Sequence, residues 1–139
     1  MSNFEPIERT VQKTFEWLKE IERELGTDNR YRAYHALRSV LHHLRDRLTV
    51  DESAHLAAEL PMLIRGIYYE GWDPSKVPMK IRHKEEFLEL IAKDFPQEPD
   101  VDAERIARAV FDVLRRHVSK GEAAEVLRSL PKHIREIFE

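Results

Sequence analysis

The sequence predicts an all-α protein of about eight helices, arranged as two tandem, pseudo-symmetric four-helix repeats. Apolar residues recur every three or four positions in several segments, which is the spacing of amphipathic helices. The chain also matches itself without a gap when it is shifted by 70 positions, which indicates a repeat. Nothing in the pattern predicts a strand.

The composition is that of a folded, globular protein. The 139 residues are enough for a single domain, and 42% of them are hydrophobic while 35% are charged. The net charge of -3 weighs mildly against a nucleic-acid partner, because affinity for nucleic acids depends mainly on neutralising phosphates.

The residue types that are missing exclude several kinds of site. The chain has no cysteine, which excludes disulfides, thiolate nucleophiles and thiolate metal sites. No basic start followed by an apolar run is present, and no stretch approaches about 18 uninterrupted apolar residues. We therefore expect a cytoplasmic protein with no membrane partner.

The two halves, about 1–70 and 71–139, align over their whole length. The aligned pairs include Trp17 with Phe87, Arg45 with Arg115, Leu60-Pro61 with Leu130-Pro131, and Ile64-Arg65 with Ile134-Arg135. We interpret the chain as an internal duplication that forms one domain, 1–139. Because a half of this size is marginally stable alone, we expect the halves to pack together about an approximate two-fold axis.

The first two helices of the first half each have an apolar inner face. The first carries Ile7, Val11, Phe15, Leu18, Ile21 and Leu25. Gly26 then ends it, because glycine adopts the left-handed conformation that terminates helices. The second carries Ala33, Ala36, Leu37, Val40, Leu41, Leu44 and Leu48.

Two short helices complete the first half. Thr49-x-x-Glu52 has the spacing of a capping box and predicts the start of a third helix, as Ser119-x-x-Glu122 does in the second half. Pro61 predicts the start of a fourth helix, because proline is tolerated at the first helical positions. That fourth helix is apolar nearly all round, which predicts a centrally buried helix.

A connector rich in proline and glycine, 71–78, leads into the second half. A helix is predicted around 84–95. The next predicted helix faces inward with Ala103, Ile106, Ala107, Val110, Phe111, Leu114 and Val118.

One motif resembles a known family. The pattern Leu-Pro-x-x-Ile-Arg-Gly-x-Tyr-Tyr-Glu-Gly-Trp at 60–72, with the helix start at 48–54 and Glu-Glu-Phe-Leu at 85–88, is similar to the bacterial family called domain of unknown function 2267. The resemblance covers nearly the whole chain and implies a small, all-helical bacterial protein without an established activity. The second half departs from the motif, because Glu136 replaces the glycine and no Gly-Trp follows.

Four residues are candidates for a metal site. Glu52 and His55 have the spacing that places a carboxylate and an imidazole on one helix face, and Glu122 and Glu125 are their counterparts. Both first glutamates are also explained as capping-box residues, and no further inward glutamates are evident. We therefore predict no cofactor, and we keep metal or small-ligand binding as the alternative.

Arg65 and Arg135 recur on the most apolar helix of each half. A buried guanidinium needs carboxylate partners, because its burial is otherwise costly. We predict internal ion pairs with Glu16 and Glu86 or with Glu52 and Glu122. Anchoring of a ligand is the alternative role.

Tyr69 and Trp72 are aromatic residues at the end of the fourth helix and the connector, and Glu70 lies between them. Aromatic residues are enriched at interaction hot spots, so these three are candidates for partner binding. The alternative is that the aromatic rings close the core over a helix end.

No constellation in the sequence predicts catalysis. The chain has neither a Gly-x-Ser-x-Gly elbow nor a glycine-rich phosphate loop, and we predict no catalytic residue. Arginines on the second helix could contact phosphates, so nucleic-acid binding is a second alternative. The sequence favours a non-catalytic protein-interaction or scaffold module with an unknown protein partner, either as a monomer or as a homodimer.

Overall fold

The fold is all-helical. A computed structural model shows the chain and describes residues 4–139. These residues form eight α-helices and a short 3₁₀ helix, with no strand, which confirms the predicted fold class. The helices are α1 Glu5–Leu25, α2 Arg30–Arg47, α3 Val50–Ala57, α4 Met62–Tyr69, α5 Lys84–Lys93, α6 Ala103–His117, α7 Lys120–Ser129 and α8 Lys132–Arg135, with the 3₁₀ helix at Pro74–Lys76.

Local capping chemistry sets the helix ends. α1 ends at Gly26, whose φ of 66° is the left-handed conformation predicted from the sequence. α2 begins after Asn29, whose side chain accepts a hydrogen bond from the backbone N–H of Arg32 at 3.1 Å. The side chain of Asp102 accepts in the same way at the start of α6. Each cap satisfies a backbone group that the helix itself leaves without a partner.

Both halves contribute to one contiguous core. α2 is central, because it packs against α1, α4, α5 and α6. The largest fully buried side chains come from 1–70 and from 71–139 alike: Trp17, Tyr68, Phe87 and Phe111. Within the part of the chain that the structure describes, the buried apolar residues of both halves belong to one cluster.

The two halves differ in the length of their first and last helices. α1 has 21 residues whereas α5 has 10, and α4 has 8 residues whereas α8 has 4. In the segment that the shift aligns with the start of α1, the second half has only the short 3₁₀ helix at Pro74–Lys76, and α5 begins at Lys84. The tandem pseudo-symmetry therefore stays a prediction, and the first turns of α1 have no counterpart in the second half.

The connector between the halves, taken here as the whole segment 70–83 between α4 and α5, lies against the end of α2. The backbone N–H of Met79 donates to the carbonyl oxygen of Asp46 at 2.8 Å, and Nε of Arg47 donates to the carbonyl oxygen of Ile81 at 2.8 Å. The connector is therefore held at two points. None of the helices within 4–139 combines the length and the apolar character needed to cross a bilayer.

Candidate functional site

Arg45 is the most buried charged residue of the described chain and organises the end of α4. It is 4% exposed, and its guanidinium donates to both carboxylate oxygens of Asp46 at 2.8 and 3.2 Å. Its Nη1 also donates to the carbonyl oxygens of Tyr68 and Glu70, each at 2.8 Å. Because the last carbonyls of a helix have no partner within it, Arg45 acts as the cap of α4. The sequence aligned Arg45 with Arg115 but did not predict this role.

The structure corrects the predicted partners of Arg65 and Arg135. Neither arginine belongs to an ion pair among residues 4–139. The acceptors are the carbonyl oxygens of Ala57 and Leu60 for Arg65, and of Leu127 and Leu130 for Arg135, at 2.7 to 3.0 Å. Each arginine therefore satisfies the carbonyls at the end of the preceding helix. Arg65 is exposed and Arg135 half-buried, so neither needs the carboxylate that a fully buried guanidinium requires.

Tyr69, Glu70 and Trp72 cover the end of α4. The ring of Tyr69 lies 5.3 Å from that of Tyr68 and 5.2 Å from that of Trp72, between ring centroids. Tyr69 and Trp72 are half-buried, and the buried Nε1 of Trp72 has no hydrogen-bond acceptor among the described residues. Glu70 is exposed and binds Arg38. This packing resembles core closure, and partner binding by these three residues stays a prediction.

Tyr68 lies beneath this cover and is fully buried. Its hydroxyl donates to the carbonyl oxygen of Ser53 at 3.3 Å. Burial raises the pKa of Tyr68 well above its usual range, so the hydroxyl keeps its proton at neutral pH. Tyr68 therefore has a structural role.

The four metal candidates do not assemble into a metal site. Oε1 of Glu52 accepts from the backbone N–H of Thr49 at 2.9 Å and completes the predicted capping box. Burial alone raises the pKa of Glu52, but hydrogen bonds from Thr49 and with Ser129 lower it overall. His55 is exposed. Within 4–139, no group of three or more histidine, aspartate or glutamate side chains has a metal-binding arrangement.

The second predicted capping box forms only in part. Oγ of Ser119 accepts from the backbone N–H of Glu122 at 3.1 Å, as predicted. The backbone N–H of Ser119, however, donates to Oε1 of Glu59 at 2.6 Å, and its hydroxyl donates to Oε2 of Glu59 at 3.0 Å. A carboxylate from the end of α3 thus takes the place predicted for Glu122. The exchange links the two halves through α3 and α7.

Because Glu59 takes the place predicted for Glu122 in the capping box, Glu122 lies near the carboxylate of Glu59. Burial and then the charge of Glu59 raise the pKa of Glu122. We expect Glu122→Gln to increase the free energy of unfolding by about 0.5 kcal/mol at pH 7, a small gain because solvent screens the pair. Because the pKa of Glu122 is higher in the folded state than in the unfolded state, the wild-type protein gains stability relative to Glu122→Gln as the pH falls. The advantage of the variant should therefore disappear below about pH 4.

Urea denaturation at pH 7 and at pH 4 measures the effect of Glu122→Gln. Glu52→Gln is the matched control, because the pKa of Glu52 is lowered and its charged form stabilises the fold. Glu52→Gln should have a lower free energy of unfolding than wild type at pH 7. A loss of stability in Glu122→Gln at pH 7 contradicts the assignment of repulsion between Glu122 and Glu59.

An exposed apolar face lies where α1 meets α4. Ile7 is 49% exposed, Met62 56% and Leu63 41%, whereas apolar residues further along the same helices, such as Ile21 on α1 and Ile64 on α4, are buried. The two helices meet there, because the backbone N–H of Leu63 donates to Oγ1 of Thr10 at 2.9 Å. We call Ile7, Val11, Met62 and Leu63 the α1–α4 face. The prediction that α4 is buried on nearly all sides was therefore wrong for its first turn.

The α1–α4 face continues the side of α1 that enters the core. Ile7 precedes the buried Thr14 by two helical turns, and Thr14 precedes the buried Ile21 by two more. Ile7 is exposed only because the bundle ends before it reaches the first turns of α1. The apolar periodicity was visible in the sequence, but the missing cover was not.

The fold and these surfaces define a small all-α protein in which arginines cap helix ends and an apolar face between α1 and α4 is exposed. Residues 14–137 match the family model described as Uncharacterized conserved protein (DUF2267), and the chain belongs to this family. The match confirms the resemblance seen in the Leu-Pro motif, and it includes residues of both halves. No curated protein matches the chain.

Proposed function

We propose that the protein is a non-catalytic, cytoplasmic interaction module that pairs with a second copy of itself through the α1–α4 face. The observation that carries the proposal is the exposure of Met62 and Leu63 at the start of α4. Together with Ile7 on the adjoining α1 they form an exposed apolar surface, and such surfaces on a folded protein mark interaction sites.

The fold itself does not require apolar residues at these positions. Met62 and Leu63 follow Pro61, and in the second half Lys132 and His133 follow Pro131 at the start of α8. Lys132 and His133 are also exposed. The same helix start thus accepts two polar side chains, which supports a role in binding for Met62 and Leu63.

A second copy is the partner that we propose for this face. The face combines a ridge from α1 with a ridge from α4, so two copies related by a two-fold axis can each place α1 against the partner's α4. Glu8 lies on α1 beside the face, and Arg65 lies one turn after Met62 on α4. Both residues are exposed, and neither belongs to an ion pair recorded within 4–139. A two-fold arrangement can bring Glu8 of one copy near Arg65 of the other, although Nε and Nη2 of Arg65 already donate to the carbonyl oxygens of Ala57 and Leu60.

Replacing Met62 by Lys and Leu63 by His tests the proposal with the side chains that the second half already carries. We expect sedimentation equilibrium to show a dimer for wild type and a monomer for the double variant. The loss of buried apolar area should weaken dimerisation by at least about a hundredfold. Helix content and melting temperature of the monomer should stay unchanged, because both positions are exposed.

Val50→Lys is the matched control for this experiment. Val50 is an exposed apolar residue at the start of α3, outside the α1–α4 face, and is 43% exposed. This variant should dimerise like wild type. A wild-type protein that stays monomeric up to about 100 μM contradicts the proposal, as does a double variant that still dimerises.

A further inference from the structure

A cleft between the end of α2 and the connector gathers four positive charges. Its volume is about 440 Å³, and its charged lining residues are Arg47, Lys76, Lys80 and Arg82. No carboxylate belongs to the eight residues that line it. The group is not evident in the sequence, because Arg47 is distant along the chain from the other three residues.

The cleft is fixed on the side of α2. Nε of Arg47 donates to the carbonyl oxygen of Ile81, and the backbone of Met79 binds that of Asp46. Arg47 is half-buried, and its terminal guanidinium nitrogens have no acceptor recorded among residues 4–139. Within the described chain those nitrogens are free to donate to a ligand, while the bond from Nε to Ile81 holds the guanidinium in place.

The charges in the cleft repel one another and are weakly compensated. Burial and then the charge of Arg82 lower the pKa of Arg47, and Glu52 offsets only part of this effect. Lys76 is paired with Asp73 at the long distance of 3.8 Å, with a side chain that is 80% exposed. In the described chain, Lys80 and Arg82 belong to no ion pair. An anion that enters the cleft removes this repulsion.

We propose that the cleft binds a compact oligophosphate, meaning two or more linked phosphoryl groups, either free or as the end of a nucleotide. Arginine binds phosphate oxygens through paired N–H donors, and lysine adds a mobile point charge. Four cations match the charge of a diphosphate or triphosphate better than that of a single phosphate. The volume is that of a small-ligand site, and the cations are confined to one cleft rather than spread along a helix as in nucleic-acid readers.

Calorimetric titration of the full chain with inorganic pyrophosphate and with inorganic triphosphate tests this site. We expect one ligand per chain at low ionic strength. Lys80→Glu combined with Arg82→Glu should weaken both ligands by about tenfold to a hundredfold, because two charge-assisted contacts are lost. The control, Lys19→Glu with Lys93→Glu, makes the same change in net charge on exposed residues of α1 and α5 and should bind like wild type.

Three results overturn the proposal: no binding of pyrophosphate or triphosphate by wild type, equal affinity in the Lys80/Arg82 variant, or orthophosphate bound as tightly as triphosphate. Binding of a single-stranded 20-nucleotide DNA in the absence of any binding of pyrophosphate would likewise overturn the proposal, and would indicate a polynucleotide site. Circular dichroism verifies the fold of each variant. If the glutamates disturb the fold, Lys80→Gln with Arg82→Gln decides the question by the same loss of affinity.

Discussion

Replacing Arg45 by methionine should lower the free energy of unfolding by about 3–5 kcal/mol, one of the two largest effects expected for a single substitution. The change removes four hydrogen bonds that Arg45 donates to Asp46, Tyr68 and Glu70. Two main-chain carbonyls at the end of α4 then lose their cap. Leaving a buried acceptor without a partner costs more free energy than a hydrogen bond contributes. The loss of stability should therefore exceed that caused by replacing an ordinary surface arginine.

Arg115→Met is the matched control for Arg45→Met, because the two arginines align between the halves. Arg115 is exposed, donates one hydrogen bond to the carbonyl oxygen of Phe138 at 3.0 Å, and lies over the ring of Phe111. Its replacement should cost about 1 kcal/mol. Urea denaturation followed by far-ultraviolet circular dichroism measures both variants. Similar losses in the two variants contradict the special role of Arg45.

Trp17→Ala should be comparably destabilising, by about 3–5 kcal/mol, because it opens a large cavity in the shared core. Trp17 is fully buried, and its ring stacks on that of His117 with centroids 4.7 Å apart. His117 in turn binds Glu20 at 2.9 Å, so the ring stack joins α1 to α6. The cavity therefore lies where the two halves meet.

Trp17→Phe separates the effect of packing from that of hydrogen bonding. Phenylalanine stands at the aligned position, Phe87, where it is also fully buried. The buried Nε1 of Trp17 has no acceptor within 4–139. Its removal therefore loses no hydrogen bond and eliminates a buried donor that has no partner. We expect a loss of only about 1–2 kcal/mol by urea denaturation. If Phe and Ala at position 17 are equally destabilising, the packing argument fails.

Much of the fold could be predicted because it depends on short-range chemistry. The end of α1 at Gly26, the capping box of Thr49 and Glu52, and the start of α4 after Pro61 each involve residues within one helical turn. The choice of helix over strand follows from apolar spacing alone. The Leu-Pro motif was also sufficient to predict the family.

The candidate sites were harder to predict, since their partners are distant in sequence. Arg65 was predicted to bind a carboxylate, but it donates instead to the main-chain carbonyl oxygens of Ala57 and Leu60, which precede Pro61. Glu59 caps Ser119 across the contact of α3 with α7, a pairing that no local pattern indicates. The cleft of Arg47, Lys80 and Arg82 forms only because the connector turns back against α2.

By itself, the sequence determined the helical class, the positions of several helix ends and the family, because these depend on neighbours along the chain. The tertiary structure alone decided which apolar residues are covered. Periodicity places Ile7 on the same side of α1 as Ile21, but only the length of the packed bundle leaves Ile7 exposed and Ile21 buried. The tertiary structure also decided which oxygen each arginine binds, because distances between remote segments select hydrogen-bond partners.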